Sequence, residues 1–328
     1  MLSRNDLINN RELALDKALG ALSGLAIGDS FGDASRNQEN QMKYGITTDF
    51  NKGASWSTDD TEFALLTAKI VIDSKGDFTT EDVVKAWLEN VAVQDDFPRG
   101  GSSEIEGARN IKRGIMPPYS GMYNSYYNSD GSAMRISPIG IICAGDPKKA
   151  AELAEIDACI SHYREGIWGA QAVAAAVSVA MVDGTIDEII EAAISVIPKD
   201  SWLYYTINRA LEIVEEQKGD FFNSWMVLHD ELWTSYKAIV PEAVASAFGV
   251  LKLVNKDFKS GVIAAGNFGR DADTIGAIVG AILGAKYGAK NMPEKWIEKT
   301  RYPSGTCLSF TKGLDIKELS ENLADLIK

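Results

Sequence analysis

The chain has 328 residues, 45% of them hydrophobic, enough for a sizeable core in one large domain or two modest ones. Acidic residues outnumber basic ones, 46 to 33, for a formal net charge of −13, and no Lys/Arg cluster is dense enough to track a phosphate backbone, so nucleic acid is not an expected partner. Cys143, Cys159 and Cys307 are scattered, odd in number and without a CxxC pair, which excludes a disulfide framework as the expectation and favours a reducing compartment.

The first stretch, "MLSRNDLINNRELALDKALG", is charged and amphipathic where a signal peptide needs an uninterrupted apolar run, and nowhere do 18 apolar residues follow one another. A cytoplasmic protein without membrane contact is expected. The segment "DASRNQENQMKYGITTDFNKGAS" lacks helical period and reads as a loop. "STDDTEFALLTAKIV" then predicts an apolar helix that starts at its Thr and Asp residues, followed by the amphipathic "TTEDVVKAWLENV". "RGIMPPYSGMYNSYYNSDGSAM" is a second loop, long, polar and aromatic, of the kind that carries binding residues. "GIWGAQAVAAAVSVAMVDG" and, near the end, "DTIGAIVGAILGAKYG" are apolar on nearly every face and predict central helices. Between them "TIDEIIEAAISVI", "WLYYTINRALEIVEEQ" and "PEAVASAFGVLKLV" predict helices packed around that centre. With little strand-like alternation, no internal repeat and no linker, residues 1–328 read as a single all-α domain, an orthogonal multi-helix bundle.

Two helix starts carry more acid than a helix needs. Thr58, Asp59 and Asp60 precede "FALLTAKIV", and Asp271, Asp273 and Thr274 open "GAIVGAILGAKYG". One Asp or Thr caps a helix and suits its dipole; a second adjacent carboxylate repels the first unless a cation or donors compensate. Four carboxylates and two hydroxyls from two helix mouths form the oxygen donor set of a hard divalent ion. Zinc would want Cys or His, and the only histidines, His162 and His229, are far apart in sequence. Spacing alone leaves open whether the two clusters meet or are two over-supplied caps.

The order of "GALSGLAIGDSFGD", "STDDTEFALLTA", "SDGSAMRISPIG", "ISHYREGIWGAQAVAAA", "GRDADTIGAIVGAILGAKYG" and "MPEKW" resembles the ADP-ribosylglycohydrolase family over nearly the whole chain. That resemblance implies two Mg2+ or Mn2+ ions bound by Thr58, Asp59, Asp60, Asp271, Asp273 and Thr274. It also implies hydrolysis at the ribose anomeric carbon of an ADP-ribosyl substrate, joined to a protein or small acceptor. Asp60 and Asp273 then carry the catalytic weight. It further implies that Asp130, Gly131, Ser132 and Met134 lie near the ribose or its phosphates, that His162 contributes to the cleft, and that one of Tyr119, Tyr123, Tyr126 and Tyr127 stacks on a base. An Asp-Gly turn and a structural His are the bland readings of Asp130 and His162.

Two departures bear on substrate. Family members carry Glu four residues after the last glycine of the "GDSFG" motif; that position here is Arg36, and Asp33 is the nearest carboxylate able to cover part of the role. Arg270 stands where Gly is usual. Arg36 and Arg270 as substrate-facing cations would repel an arginine leaving group and favour an anionic substrate; the alternative is that both pair with local carboxylates. A smaller ribosyl compound such as a nucleoside or nucleotide, and a catalytically silent ADP-ribose-binding protein, are the rival functions. A monomer or small homo-oligomer is expected.

Overall fold

A computed structural model describes residues 2–34, 36, 38–50 and 56–328. Among them helices carry the whole architecture, and the only β-type pairing is an isolated bridge between Ser129 and Ile239. Seven helices matter for the site: α1 (Arg11–Asp33), α2 (Asp59–Asp73), α3 (Ser102–Lys112), α4 (Gly131–Arg135), α5 (Glu165–Ala180), α6 (Val240–Leu253) and α7 (Ala272–Tyr287).

The centre is the antiparallel pair α1 and α7. Gly20, Gly24, Gly28 and Gly32 recur every fourth residue along one stripe of α1 and face Gly284, Gly280, Gly276 and Ala272 of α7. A Cβ at Gly28 would lie 1.9 Å from the Gly276 carbonyl oxygen, and one at Gly24 would lie 2.1 Å from that of Gly280. Here the two backbones touch with no side chain between them. Each helix-interior glycine costs about 1 kcal/mol of intrinsic helix preference, which close packing over four turns must offset. The register sets Gly32, the penultimate residue of α1, against Ala272, the first residue of α7. The last turns of α1 and the mouth of α7 are therefore neighbours.

The fully apolar stretches behave as their composition predicts, since α5 and α7 are buried along nearly their whole length. One placement differs from the sequence reading: α6 is buried from Val240 to Leu251 where an outer helix was expected. α1, which opens with a charged segment, is buried from Lys17 onward apart from Leu19 and belongs to the centre. The helices Thr80–Asn90 and Ile186–Ser195 do lie outside, each opened by a capping box, Thr79 with Asp82 and Thr185 with Glu188.

Both expected loops contain helical turns, Gln38–Tyr44 in the first and Tyr119–Met122 with α4 in the second. Ser35, Asn37 and residues 51–55 of the first loop lie outside the described residues. The far end of the chain closes over α2: the backbone amides of Thr306, Cys307 and Leu308 donate to the Glu62 carboxylate at 2.9, 2.9 and 2.7 Å. No described helix is long and apolar enough to cross a membrane.

Gly28→Leu forces a side chain into a contact with no room for one, and destabilisation of at least 1–3 kcal/mol is expected. A thermal melt reads it; a variant that melts with the wild type contradicts the backbone contact.

Candidate active site

Asp29, on the inner face of α1, accepts hydrogen bonds from the Thr58 amide (2.9 Å), the Thr58 hydroxyl (2.6 Å), the Thr61 amide (3.2 Å) and the Thr61 hydroxyl. These are the donors at the mouth of α2, so a residue of another helix does the capping. Neither Thr58 at the start of α2 nor Asp271 at the start of α7 makes a side-chain cap bond to its own helix. The surplus carboxylates are thus released from the structural duty that composition alone would assign them. The burial of Asp29 still outweighs these four donors and raises its pKa.

Both mouths open on one cleft of ≈ 550 Å³, in the range of small-molecule sites. Asp59 and Asp60 of α2, Asp271, Asp273 and Thr274 around the α7 start, and Asp33 of α1 all line it, so the two sequence clusters do meet. Asp130, Gly131 and Met134 form a further wall. Asp59, Asp60 and Asp130 are pushed well above the ordinary aspartate range, by burial first; Asp273 next raises Asp59 and Asp60, while Asp271 and then Asp60 raise Asp130. Asp273 is pushed up to about 6 by burial, with Arg36 opposing.

Three buried oxygens here have no hydrogen-bond partner: Asp60 Oδ1, Asp130 Oδ2 and Asp273 Oδ1. A buried acceptor left unpaired costs about 1–3 kcal/mol, more when charged. The cleft also keeps bare backbone beside its acids, since a Cβ on Gly101 would lie 2.4 Å from Glu104 Oε2 and 3.1 Å from Asp59 Oδ2. Hard oxygen donors with unfilled valence and open space fit a divalent ion of the Mg2+ or Mn2+ kind. As they stand, no three described acidic, His or Cys side chains close into a metal cage. The chain's own cations account for part of that. Arg36 Nη1 donates to Asp273 Oδ2, Arg36 Nη2 to Asp271 Oδ1 at 3.3 Å, and Lys237 Nζ lies 3.1 Å from the same Asp271 oxygen. Burial disfavours the Arg36 charge, but Asp273, Asp271, Asp59 and Asp60 outweigh it and hold the guanidinium firmly protonated.

Asp33 sits at the rim, bonded by Trp56 Nε1 at 2.7 Å and by Arg99, whose guanidinium also lies 5.9 Å from the Trp56 ring centroid. Arg99, Glu104, Tyr236 and Lys237 line the cleft and have no motif in the sequence; the Gly100-Gly101 doublet beside Arg99 is the one local signal. Glu104 is tied to the buried Arg135 at 3.0 Å.

Several expected positions fall elsewhere. Arg270 turns away from the cleft: its left-handed backbone (φ 58) aims the side chain at Glu242 and Trp233, so it is a structural ion pair rather than a substrate-facing cation. His162 is fully buried behind the wall, with Nε2 3.0 Å from the Ser129 hydroxyl and Nδ1 2.8 Å from that of Ser161; burial, then Arg135, lowers its pKa well below the usual value. It reaches the cleft only through Ser129, which lines it. Ser132 spends its hydroxyl on the Gly166 carbonyl, and Thr58 points inward to Asp29. None of the four candidate tyrosines lines the cleft. Tyr119 and Tyr123 stack on each other at the surface, Tyr127 packs against Tyr163, and Tyr126 packs on Tyr236, which is the aromatic ring that does face the cleft.

The ADP-ribosylglycohydrolase family profile matches residues 10–328. The chain belongs to the ADP-ribosylglycohydrolase family. An uncharacterized protein of Archaeoglobus fulgidus is 30% identical over 301 residues, 86% of this chain and 91% of that protein. ADP-ribosylarginine hydrolase Tri1 of Pseudomonas putida is 26% identical over 306 residues, 89% of this chain and 76% of Tri1. A solved structure titled ADP-ribosylglycohydrolase-related protein complex superposes with a TM-score of 0.65 at 22% identity, covering 97% of this chain and all of that one, which establishes the shared fold. The family is one of glycosidases, so the acidic cleft is a candidate glycosidase active site.

Raised carboxylate pKa values mean that the folded state holds protons the unfolded chain releases. For Asp273 that stabilisation is complete below the unfolded value near 3.8 and is lost as pH rises through about 6. In chelator, the wild type should therefore lose melting temperature between pH 4 and pH 7 relative to Asp273→Asn, which removes the titrating group. Parallel melting profiles across that window would contradict this account of the cleft.

Proposed function

We propose that the protein is a divalent-cation-dependent hydrolase of the bond between an ADP-ribosyl anomeric carbon and a protein or small-molecule acceptor other than arginine. The observation that carries it is the trio of unpartnered buried carboxylate oxygens facing one cleft, in a chain of this family. Asp59, Asp60, Asp271, Asp273 and Thr274, which line the cleft, are the residues that would hold two Mg2+ or Mn2+ ions, while Thr58 is committed to Asp29 and supports them from behind. Bound there, the ions would supply a lowered pKa for water and a grip on the ribose hydroxyls.

The protein's own groups do the rest. Held ionised by the cations they would bind, the carboxylates of Asp59, Asp60 and Asp273 would favour an oxocarbenium-like transition state over the neutral glycoside. Asp130 and Gly131 form the wall against which a ribose rests, and Tyr236 offers the ring face for a base. Asp33, committed to Trp56 and Arg99, positions the two rim guanidiniums.

The acceptor follows from Arg36. Its guanidinium already uses Asp271 and Asp273, so an arginine leaving group would meet a like charge in the acidic pocket that should receive it. Tri1 carries arginine in its name; this chain, at 26% identity, has its own arginine in that pocket. Arg36 and Arg99 at one rim also favour a second reading, hydrolysis of a smaller anionic ribosyl compound such as a nucleotide.

The test is release of free ADP-ribose or ribose from a panel of ribosylated substrates with Mg2+ or Mn2+. Asp273→Ala should lower turnover at least 100-fold with a folded protein, chelator should abolish it, and Arg36→Glu should open activity on ADP-ribosylarginine. Near-normal turnover of Asp273→Ala removes the ligand assignment. Binding of ADP-ribose with no turnover on any substrate identifies a silent member.

A further inference from the structure

Charge compensation in the cleft is lopsided. On the α7 side, Asp271 Oδ1 faces both Arg36 Nη2 at 3.3 Å and Lys237 Nζ at 3.1 Å, and Asp273 Oδ2 accepts from Arg36 Nη1. On the α2 side, no Lys or Arg of the described residues forms an ion pair with Asp59 or Asp60, and Asp60 Oδ1 is unpartnered, as is Asp273 Oδ1 across the cleft. Arg36 Nη1 also lies 3.8 Å from Asp33 Oδ1, an oxygen that already accepts from Arg99. The side chain is 28% exposed at the rim, so moving it requires no repacking of the core.

We propose that Arg36 is a tethered cation that competes with a divalent ion for Asp271 and Asp273, so that the two cation positions of the cleft load unequally. The inference rests on the cation-dependent reading above. The position served by Asp60, Thr274 and the unpartnered Asp273 oxygen accepts an ion with every side chain in place. The position served by Asp271 and Asp273 Oδ2 accepts one only when Arg36 swings outward to solvent or to an anionic group of the substrate. Substrate and second ion then assist each other, because whatever holds Arg36 at the rim vacates the oxygens.

A guanidinium is a strong occupant of such a place. It is always charged, it is planar, and its fork spans two carboxylates that a single-point ammonium would bridge poorly. Burial of Asp271 and Asp273 removes the solvent screening that would weaken the contact at an open surface.

Calorimetric titration of chelator-treated protein with Mn2+, with no substrate present, tests this. The wild type should bind one ion at least tenfold more tightly than the second. Arg36→Gln, which keeps polarity and loses charge, should tighten the weaker step at least tenfold and leave the tighter one unchanged. Arg36→Lys, which keeps the charge and loses the fork, should give an intermediate shift and covers the case in which the Gln variant does not fold. Two steps unchanged by either substitution, or two equal steps in the wild type, overturn the competition while leaving the cation reading intact. No Mn2+ binding by the wild type or either variant overturns both.

Discussion

The contact between the backbones of α1 and α7 sets the distance between the acidic groups of the cleft. With glycine at every fourth position, α1 lies directly on α7, and the register that places Gly32 on Ala272 brings Asp33 next to Asp273. One turn earlier in α1, Asp29 reaches across and caps α2 with both carboxylate oxygens. Two helix mouths from opposite ends of the sequence thus hang on the last two turns of a single helix. A side chain anywhere in that stripe would push the α7 mouth off the α2 mouth, and the acids would no longer face one space.

The cost of this arrangement is visible in the same residues. Asp29 frees Asp59 and Asp60 from capping, so their charges are repulsive in the folded state and their oxygens go short of donors. Stability and the proposed cation binding therefore pull on the cluster in opposite directions: substitutions that relieve the repulsion should firm up the protein and remove the proposed ligands. Arg36 and Lys237 relieve part of the repulsion from within, with their direct ion pairs on the α7 side.

Much of the fold was legible because composition and burial go together here. Ala/Gly-rich runs without a polar face became α5 and α7, and the amphipathic stretches at 79–91 and 185–197 became outer helices. The four-residue spacing in "GALSGLAIGDSFG" is plain in the sequence, but only the glycines' partners on α7 reveal what the spacing is for. The acid clusters were legible as a surplus over caps. What the sequence hides is side-chain direction. Arg270 adjoins Asp271 in the chain yet points to Glu242, because a positive φ at Arg270 turns it outward. Lys237 and Tyr236 arrive from a segment without a motif, placed by the bridge of Ile239 to Ser129 beside Asp130.

Anomalous diffraction from crystals grown in Mn2+ tests the central claim most directly. The account predicts a manganese peak in the cleft within about 2.2 Å of carboxylate oxygens from both Asp60 and Asp273, one from each helix mouth. A cleft without manganese density, or manganese held by one helix mouth alone, would contradict it.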